Sequence, residues 1–153
     1  MNAQTERLTL SGPAGAIEAV RDSANLADGA APRGVAIIAH PHPLFGGTMD
    51  NKVVQTLARA FVQCGWTAVR FNFRGVGATA GVYDEGRGEL QDLLAVVEQV
   101  APAAVGQPLA LAGFSFGAFV TSHALEALWP TQRVEKAVLV GTAASRFTVA
   151  PVP

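Results

Sequence analysis

Short apolar runs alternate with amphipathic segments through most of this sequence. Four apolar runs predict buried strands, and they cover residues 34–40, 67–73, 108–114 and 136–141. Between them, apolar residues recur at the 3.6-residue spacing of a helix, in segments 50–65, 89–100 and 116–129. We expect Asp50 or Thr48 to cap the start of the first of these helices. This alternation predicts an α/β fold, a three-layer α/β/α sandwich around a mostly parallel sheet.

The first 22 residues predict a different local arrangement. Residues 7–12 and 16–22 alternate apolar and polar side chains, and Gly12-Pro13-Ala14-Gly15 joins them. This pattern is typical of an antiparallel hairpin. At 153 residues, the chain is long enough for one domain with a core, and we expect a single domain over residues 1–153.

The composition of the chain limits which classes of binding partner we expect. The chain is half hydrophobic and carries a net charge of −1, so we expect no nucleic acid as a partner. No apolar run approaches the roughly 20 residues that span a bilayer, and the start lacks a secretory pattern, so we expect no membrane partner and a cytoplasmic location. The single cysteine, Cys64, is expected in or near the core. Homo-oligomer formation stays open.

The segment Gly-Phe-Ser-Phe-Gly at residues 113–117 joins a predicted strand directly to a predicted helix. Sites in parallel sheets lie beyond the carboxyl ends of the strands. A strand-to-helix turn without a loop strains the backbone of Ser115, and flanking glycines leave room in a crowded turn. The helix N-terminus favours an oxyanion. The pattern therefore indicates a nucleophilic serine, with an ordinary strand–helix junction as the alternative.

Four motifs in order resemble the α/β-hydrolase superfamily, and within it small bacterial hydrolases. They are HPHPLFGGTMDNKVV at 40–54, FNFRGVG at 71–77, DEGRGE at 84–89 and GFSFG at 113–117. The resemblance covers nearly the whole chain. It implies an α/β-hydrolase fold in which Ser115 is the nucleophile and the N–H of Phe116 is one oxyanion donor.

The resemblance also implies a second oxyanion donor in the loop after the third strand. It places His42 at that position, with Leu44 as the fallback, because Pro41 and Pro43 have no N–H. For His40, beside the site, we expect a buried side chain that ties the loop down.

Two other patterns suggest different chemistry. The Gly-x-Gly-x-x-Ala stretch at 75–80 resembles a dinucleotide loop, but the residues after it cannot start the helix that such a site needs. His40-x-His42 suggests a metal site, but the only other histidine, His123, lies on another element. We therefore expect no metal and no organic cofactor.

We expect Arg74, Asp84 and Glu89 to form ion pairs or caps that hold the loop at 74–88.

No residue downstream of Ser115 can complete a catalytic triad. The only histidine there, His123, is eight residues along the same predicted helix, about 12 Å away. The only acids there are Glu126, which lies still farther along that helix, and Glu135, which precedes the last strand and so lies at the wrong edge of the sheet. The resemblance implies at least two further strands, an acid on the loop after the next strand and a histidine near the C-terminus, so we expect a C-terminally truncated fold whose last strands, triad acid and histidine lie beyond residue 153. His42 as a substitute base and completion by a second chain are the alternatives.

The function that the resemblance implies is that of an esterase-like serine hydrolase. Its substrate would be a small molecule, a carboxylic ester or related acyl compound. The alternative is a non-catalytic fragment, or a binding or interaction module of the same fold.

Overall fold

The centre of the fold is a six-stranded mixed sheet, seen in a computed structural model that describes residues 5–152. Its strands are β1 (Glu6–Gly12), β2 (Gly15–Asp22), β3 (Val35–Ala39), β4 (Thr67–Phe71), β5 (Leu109–Phe114) and β6 (Val134–Val140). Their spatial order is β1-β2-β4-β3-β5-β6. The β1–β2 and β2–β4 pairs are antiparallel and the other pairs are parallel, which confirms the predicted sheet and its N-terminal hairpin.

Three α-helices cover the two faces of the sheet: α1 (Lys52–Gln63), α2 (Arg87–Val100) and α3 (Phe116–Leu128). Helix α1 packs on one face through Val54, Ala58, Phe61 and Val62. Helices α2 and α3 pack on the other face, around a larger apolar cluster. All of β3 and most of β5 are buried, because both faces of these central strands are covered.

The parallel strands bring four connections to one edge of the sheet. These are the segments after β3 (40–51), after β4 (72–86), at the β5–α3 junction and after β6 (141–152). Two short 3₁₀ turns, Pro43–Phe45 and Ala103–Val105, are the only further helical turns in the described part of the chain. Nowhere within residues 5–152 is a helix both long and apolar enough to cross a bilayer.

The N-terminal cap of α1 differs from the predicted one. We expected Asp50 or Thr48, but Asn51 caps the helix, and its Oδ1 accepts the N–H groups of Val53 and Val54 at 2.9 and 3.3 Å. Thr48 instead accepts the Asp50 N–H, and the Asp50 carboxylate pairs with Arg70. Because its carboxylate pairs with Arg70, Asp50 does not cap the helix.

Cys64 was wrongly expected near the core, since it is exposed. Phe61 and Val62 form the last buried positions of α1, and Cys64 caps the helix on its outer side. The chain then turns at Gly65, whose φ of 91° suits glycine. Helix α2 and strand β6 each begin two residues earlier than their sequence patterns predicted.

The Asn51→Ala substitution is expected to lower the free energy of unfolding by about 1 kcal/mol, because two N–H groups lose their acceptor. Urea denaturation followed by circular dichroism measures the change. Lys52→Ala, at the exposed next position, is the matched control and is expected to change stability by less than about 0.5 kcal/mol. Equal effects of the two substitutions would contradict the assignment of the cap.

Candidate active site

Ser115 lies at the junction of β5 and α3, where its backbone has φ 56° and ψ −115°. Only one other non-glycine residue in the described chain, Glu85, has a positive φ. Such a conformation costs roughly 1–3 kcal/mol and persists only where the surroundings enforce it. The Ser115 N–H donates to the Val140 carbonyl at 2.9 Å, which ties the junction to the end of β6. The Ser115 hydroxyl forms no hydrogen bond with any residue from 5 to 152.

The two glycines of the junction stand where backbones nearly touch. A Cβ on Gly113 would lie 2.5 Å from the Gly117 carbonyl carbon and oxygen. A Cβ on Gly117 would lie 2.3 Å from the Ala39 oxygen and 2.5 Å from the His40 oxygen. The first turn of α3 therefore packs directly on the backbone at the end of β3. Only glycine permits this approach.

His40 is fully buried and joins the loop after β3 to the end of β4. Its Nε2 accepts the Phe73 N–H at 3.0 Å. Its Nδ1 therefore carries the proton, which it donates to the Pro41 carbonyl at 2.7 Å. Burial lowers the pKa of His40 to about 4, so the ring is neutral at pH 7.

His42 holds the next turn of the same loop with the opposite tautomer. Its Nδ1 accepts the Leu44 N–H at 3.2 Å, so the proton is on Nε2, which donates to the Tyr83 hydroxyl at 3.2 Å. The ring also packs against Phe116, at 5.0 Å between centroids. Burial and the nearby charge of Arg146 lower the pKa of His42, which favours the neutral ring that these bonds require.

The two backbone N–H groups that the sequence predicts as oxyanion donors are those of His42 and Phe116. Neither has an acceptor within the described part of the chain. The Leu44 N–H differs, because it is already donated to the His42 ring. The fallback donor predicted from the sequence is therefore occupied by another bond in this structure.

The acids of the loop after β4 serve its structure. Glu89 is fully buried, and its carboxylate accepts the N–H groups of Asp84 and Gly86 at 2.8 and 2.9 Å. Arg74 pairs with Asp92 of α2 through two hydrogen bonds of 2.8 and 3.0 Å, and this pairing raises the Arg74 pKa. Asp84 lies near Arg87 at 3.4 Å. The predicted ion pairs and caps are present, with Asp92 as the partner that sequence analysis missed.

The glycine-rich segment at 75–80 does not open a helix. The loop continues through several turns to Gly86 before α2 begins. Within residues 5–152 no three His, Cys, Asp or Glu side chains form a group able to hold a metal ion.

The contacts of the His123 side chain are with residues other than Ser115. Its Nε2 is 2.7 Å from the Thr148 carbonyl, and its ring stands edge-on to Phe119 with centroids 5.2 Å apart. Glu126 is exposed, and Glu135 pairs with Arg133 at 3.0 Å. Among the described residues, no histidine ring is hydrogen-bonded to Ser115.

Two side chains that border His42 and Phe116 were not predicted from the sequence. Tyr83, the only tyrosine of the chain, contacts His42 and Phe116, with centroids 4.9 and 5.8 Å apart. Phe147 packs on Phe116 at 5.4 Å and on Phe119 at 4.6 Å. The lone tyrosine in the loop after β4 was a usable signal. Phe147 gave none, because its segment has no regular pattern.

The Ser115→Gly variant is expected to be more stable than Ser115→Ala, with a free energy of unfolding larger by about 1 kcal/mol or more, because glycine adopts φ 56° without strain. Both variants remove the hydroxyl, so their difference isolates the backbone conformation. Urea denaturation of the pair measures it. An alanine variant as stable as the glycine variant would show that the junction is unstrained.

Acid is expected to destabilise the fold through His40. Its pKa is about 4 in the folded state and about 6.5 in the unfolded chain, so the stabilisation is complete above pH 6.5 and is lost as the pH falls toward 4. From pH 7 to pH 5 we expect a loss of about 2 kcal/mol from this residue. Urea denaturation at both values, with His40→Asn as the comparison, measures it. An NMR titration in which the His40 ring protonates near pH 6.5 would refute the assignment.

Known proteins are similar to this chain in sequence and in fold. The model of the family described as serine aminopeptidase, S33, matches residues 30–150. The chain is similar to an α/β serine hydrolase without lid from Xanthomonas campestris, with 40% identity and a TM-score of 0.87 over 100% of this chain and 68% of that one. An α/β serine hydrolase homologue from Coxiella burnetii is 39% identical, with a TM-score of 0.79 over 99% of this chain and 72% of that one.

A curated relative adds to the sequence evidence. An uncharacterized protein of Rickettsia prowazekii is 44% identical over 89 residues, which are 56% of this chain and 37% of that protein. The matched part is thus well under half of that relative's length. The family match and the two structures confirm the predicted resemblance. The chain belongs to the serine aminopeptidase S33 family of α/β serine hydrolases.

Proposed function

We propose that this chain carries the nucleophile and the oxyanion hole of a serine hydrolase acting on carboxylic esters or related acyl compounds. The observation that carries the proposal is the geometry of Ser115. Its hydroxyl is unpartnered in the described chain, on a strained junction at the N-terminus of α3. The family to which the chain belongs supports the same chemistry.

The proposed reaction proceeds in two acyl transfers. The Ser115 Oγ attacks the carbonyl carbon, and the displaced electron pair forms an oxyanion that accepts the N–H groups of Phe116 and His42. A base takes the hydroxyl proton and gives it to the leaving oxygen as the C–O bond breaks, which releases the alcohol. Water then attacks the acyl-serine by the same steps and releases the acid.

The base of this mechanism is proposed to come from outside residues 5–152. The three histidines of the chain bond elsewhere: His40 to Phe73 and Pro41, His42 to Leu44 and Tyr83, and His123 to Thr148. His42 as a substitute base would have to give up one of its two bonds. We therefore propose a histidine and an acid encoded beyond residue 153, which act on the same edge of the sheet.

A non-catalytic binding module of the same fold is the second candidate. It is favoured by one observation: within the described residues, no histidine ring is hydrogen-bonded to Ser115. The two candidates differ in covalent chemistry, because only a hydrolase activates its serine.

The full-length protein is expected to react with a fluorophosphonate probe and to hydrolyse p-nitrophenyl butyrate. Ser115→Ala is expected to abolish labelling and to reduce kcat by about 10⁴-fold or more, because no other group replaces the nucleophile. In-gel fluorescence and release of p-nitrophenol measure the two effects. Ser11→Ala, at an exposed position of β1, is the matched control and is expected to retain both activities.

Two outcomes would contradict the proposal. Labelling that persists in Ser115→Ala would place the reactive serine elsewhere. A folded full-length protein that neither reacts with the probe nor hydrolyses the ester would favour the binding module.

A further inference from the structure

A cavity of about 510 Å³ opens beside the candidate active site. Its walls include three aromatic rings, those of Tyr83, Phe119 and Phe147. Phe119 and Phe147 are stacked, with centroids 4.6 Å apart and an angle of 17° between the rings. The cavity therefore offers flat, apolar surfaces, which suit a ring or another planar apolar group.

The cavity is continuous with the elements that surround Ser115. Phe119 lies one turn along α3 from Ser115, and its N–H donates to the Ser115 carbonyl at 3.1 Å. The His42 ring contacts two of the cavity walls, Tyr83 at 4.9 Å and Phe147 at 6.0 Å. The two residues of α3 that line the cavity, Phe119 and His123, lie about 6 and 12 Å from Ser115 along the helix axis. A substrate held at Ser115 would thus place its distal end there.

One positive charge of the cavity is not balanced by a neighbour. The charged side chains that line it are Glu85, Arg87 and Arg146. Arg87 lies between two carboxylates, 3.5 Å from Glu85 and 3.4 Å from Asp84. Arg146 forms no salt bridge with any residue in the described range. Its guanidinium is exposed and has all its donors available for an anion.

We propose that this cavity is the subsite for the distal end of the substrate, and that it selects esters bearing a planar apolar group that ends in a carboxylate. The rings of Tyr83, Phe119 and Phe147 bind the apolar part, and Arg146 binds the carboxylate. This inference rests on the proposed function of Ser115. Arg146 is assigned as a specificity-determining residue, and it takes no part in the acyl transfer.

The test compares matched pairs of esters with the full-length protein. One pair is the p-nitrophenyl esters of 3-phenylpropanoic acid and of 3-(4-carboxyphenyl)propanoic acid, which differ by one carboxylate in the acyl group. The other pair is phenyl acetate and 4-carboxyphenyl acetate, which carry the difference in the alcohol. In the pair whose carboxylate lies in the part of the ester that enters the cavity, we expect kcat/KM to be about tenfold higher for the carboxylate ester, mainly through a lower KM.

Substitutions then assign the preference to one residue. Arg146→Gln is expected to abolish the preference, so that the two esters of a pair are hydrolysed with similar kcat/KM, because the carboxylate has lost its ion-pair partner. Arg146→Lys is expected to retain part of it. Arg59→Gln makes the same change of charge on α1, which packs on the opposite face of the sheet, and is expected to retain all of it. A preference absent from both pairs, or one that survives Arg146→Gln, would overturn the subsite while leaving the hydrolase intact.

A binding measurement separates failure of the subsite from failure of the proposed function. The probes are 4-(3-oxobutyl)benzoate and 4-phenylbutan-2-one, ketones that cannot be hydrolysed and differ by the same carboxylate. NMR titration is expected to show about tenfold tighter binding of the benzoate, and loss of that advantage in Arg146→Gln. This result in a protein that hydrolyses no ester would support the subsite and contradict the hydrolase. Equal binding of both ketones would overturn the subsite.

Discussion

The packing of the first turn of α3 on the end of β3 is the contact on which the candidate site depends. A Cβ on Gly117 would lie 2.3 Å from the Ala39 oxygen and 2.5 Å from the His40 oxygen, and a Cβ on Gly113 would lie 2.5 Å from the Gly117 carbonyl. With these backbones in contact, the chain has no room for a loop between β5 and α3. Ser115 therefore takes up the whole change of direction, which gives it a positive φ and an unpartnered hydroxyl.

Two histidines hold the loop that faces Ser115, and they do so with opposite tautomers. His40 binds inward to the end of β4, and His42 binds Leu44 and Tyr83 at the surface of the site. Both arrangements need a neutral ring, and burial lowers the pKa of each histidine in that direction. The loop thereby keeps a fixed shape at neutral pH, and the His42 N–H has no acceptor among residues 5–152.

Local patterns predicted the architecture, and long-range contacts explain what they missed. The apolar strands and the 3.6-residue periodicity were enough for the sheet and its helices, and Gly-Phe-Ser-Phe-Gly marked the junction, because these features depend on neighbouring residues. The cap at Asn51 depended on the pairing of Asp50 with the distant Arg70. The contact of Tyr83 with His42 and the position of Arg146 depend on segments that meet only after folding, so no spacing in the sequence predicted them.

We propose that the β5–α3 junction presents Ser115 to a carbonyl carbon while the N–H groups of Phe116 and His42 hold its oxygen. A crystal structure of the full-length protein after reaction with a fluorophosphonate is the decisive experiment. We expect a phosphorus bonded to the Ser115 Oγ, with the phosphonyl oxygen about 2.7–3.1 Å from the backbone nitrogens of Phe116 and His42. An adduct on another residue, or a phosphonyl oxygen directed away from both nitrogens, would refute this arrangement.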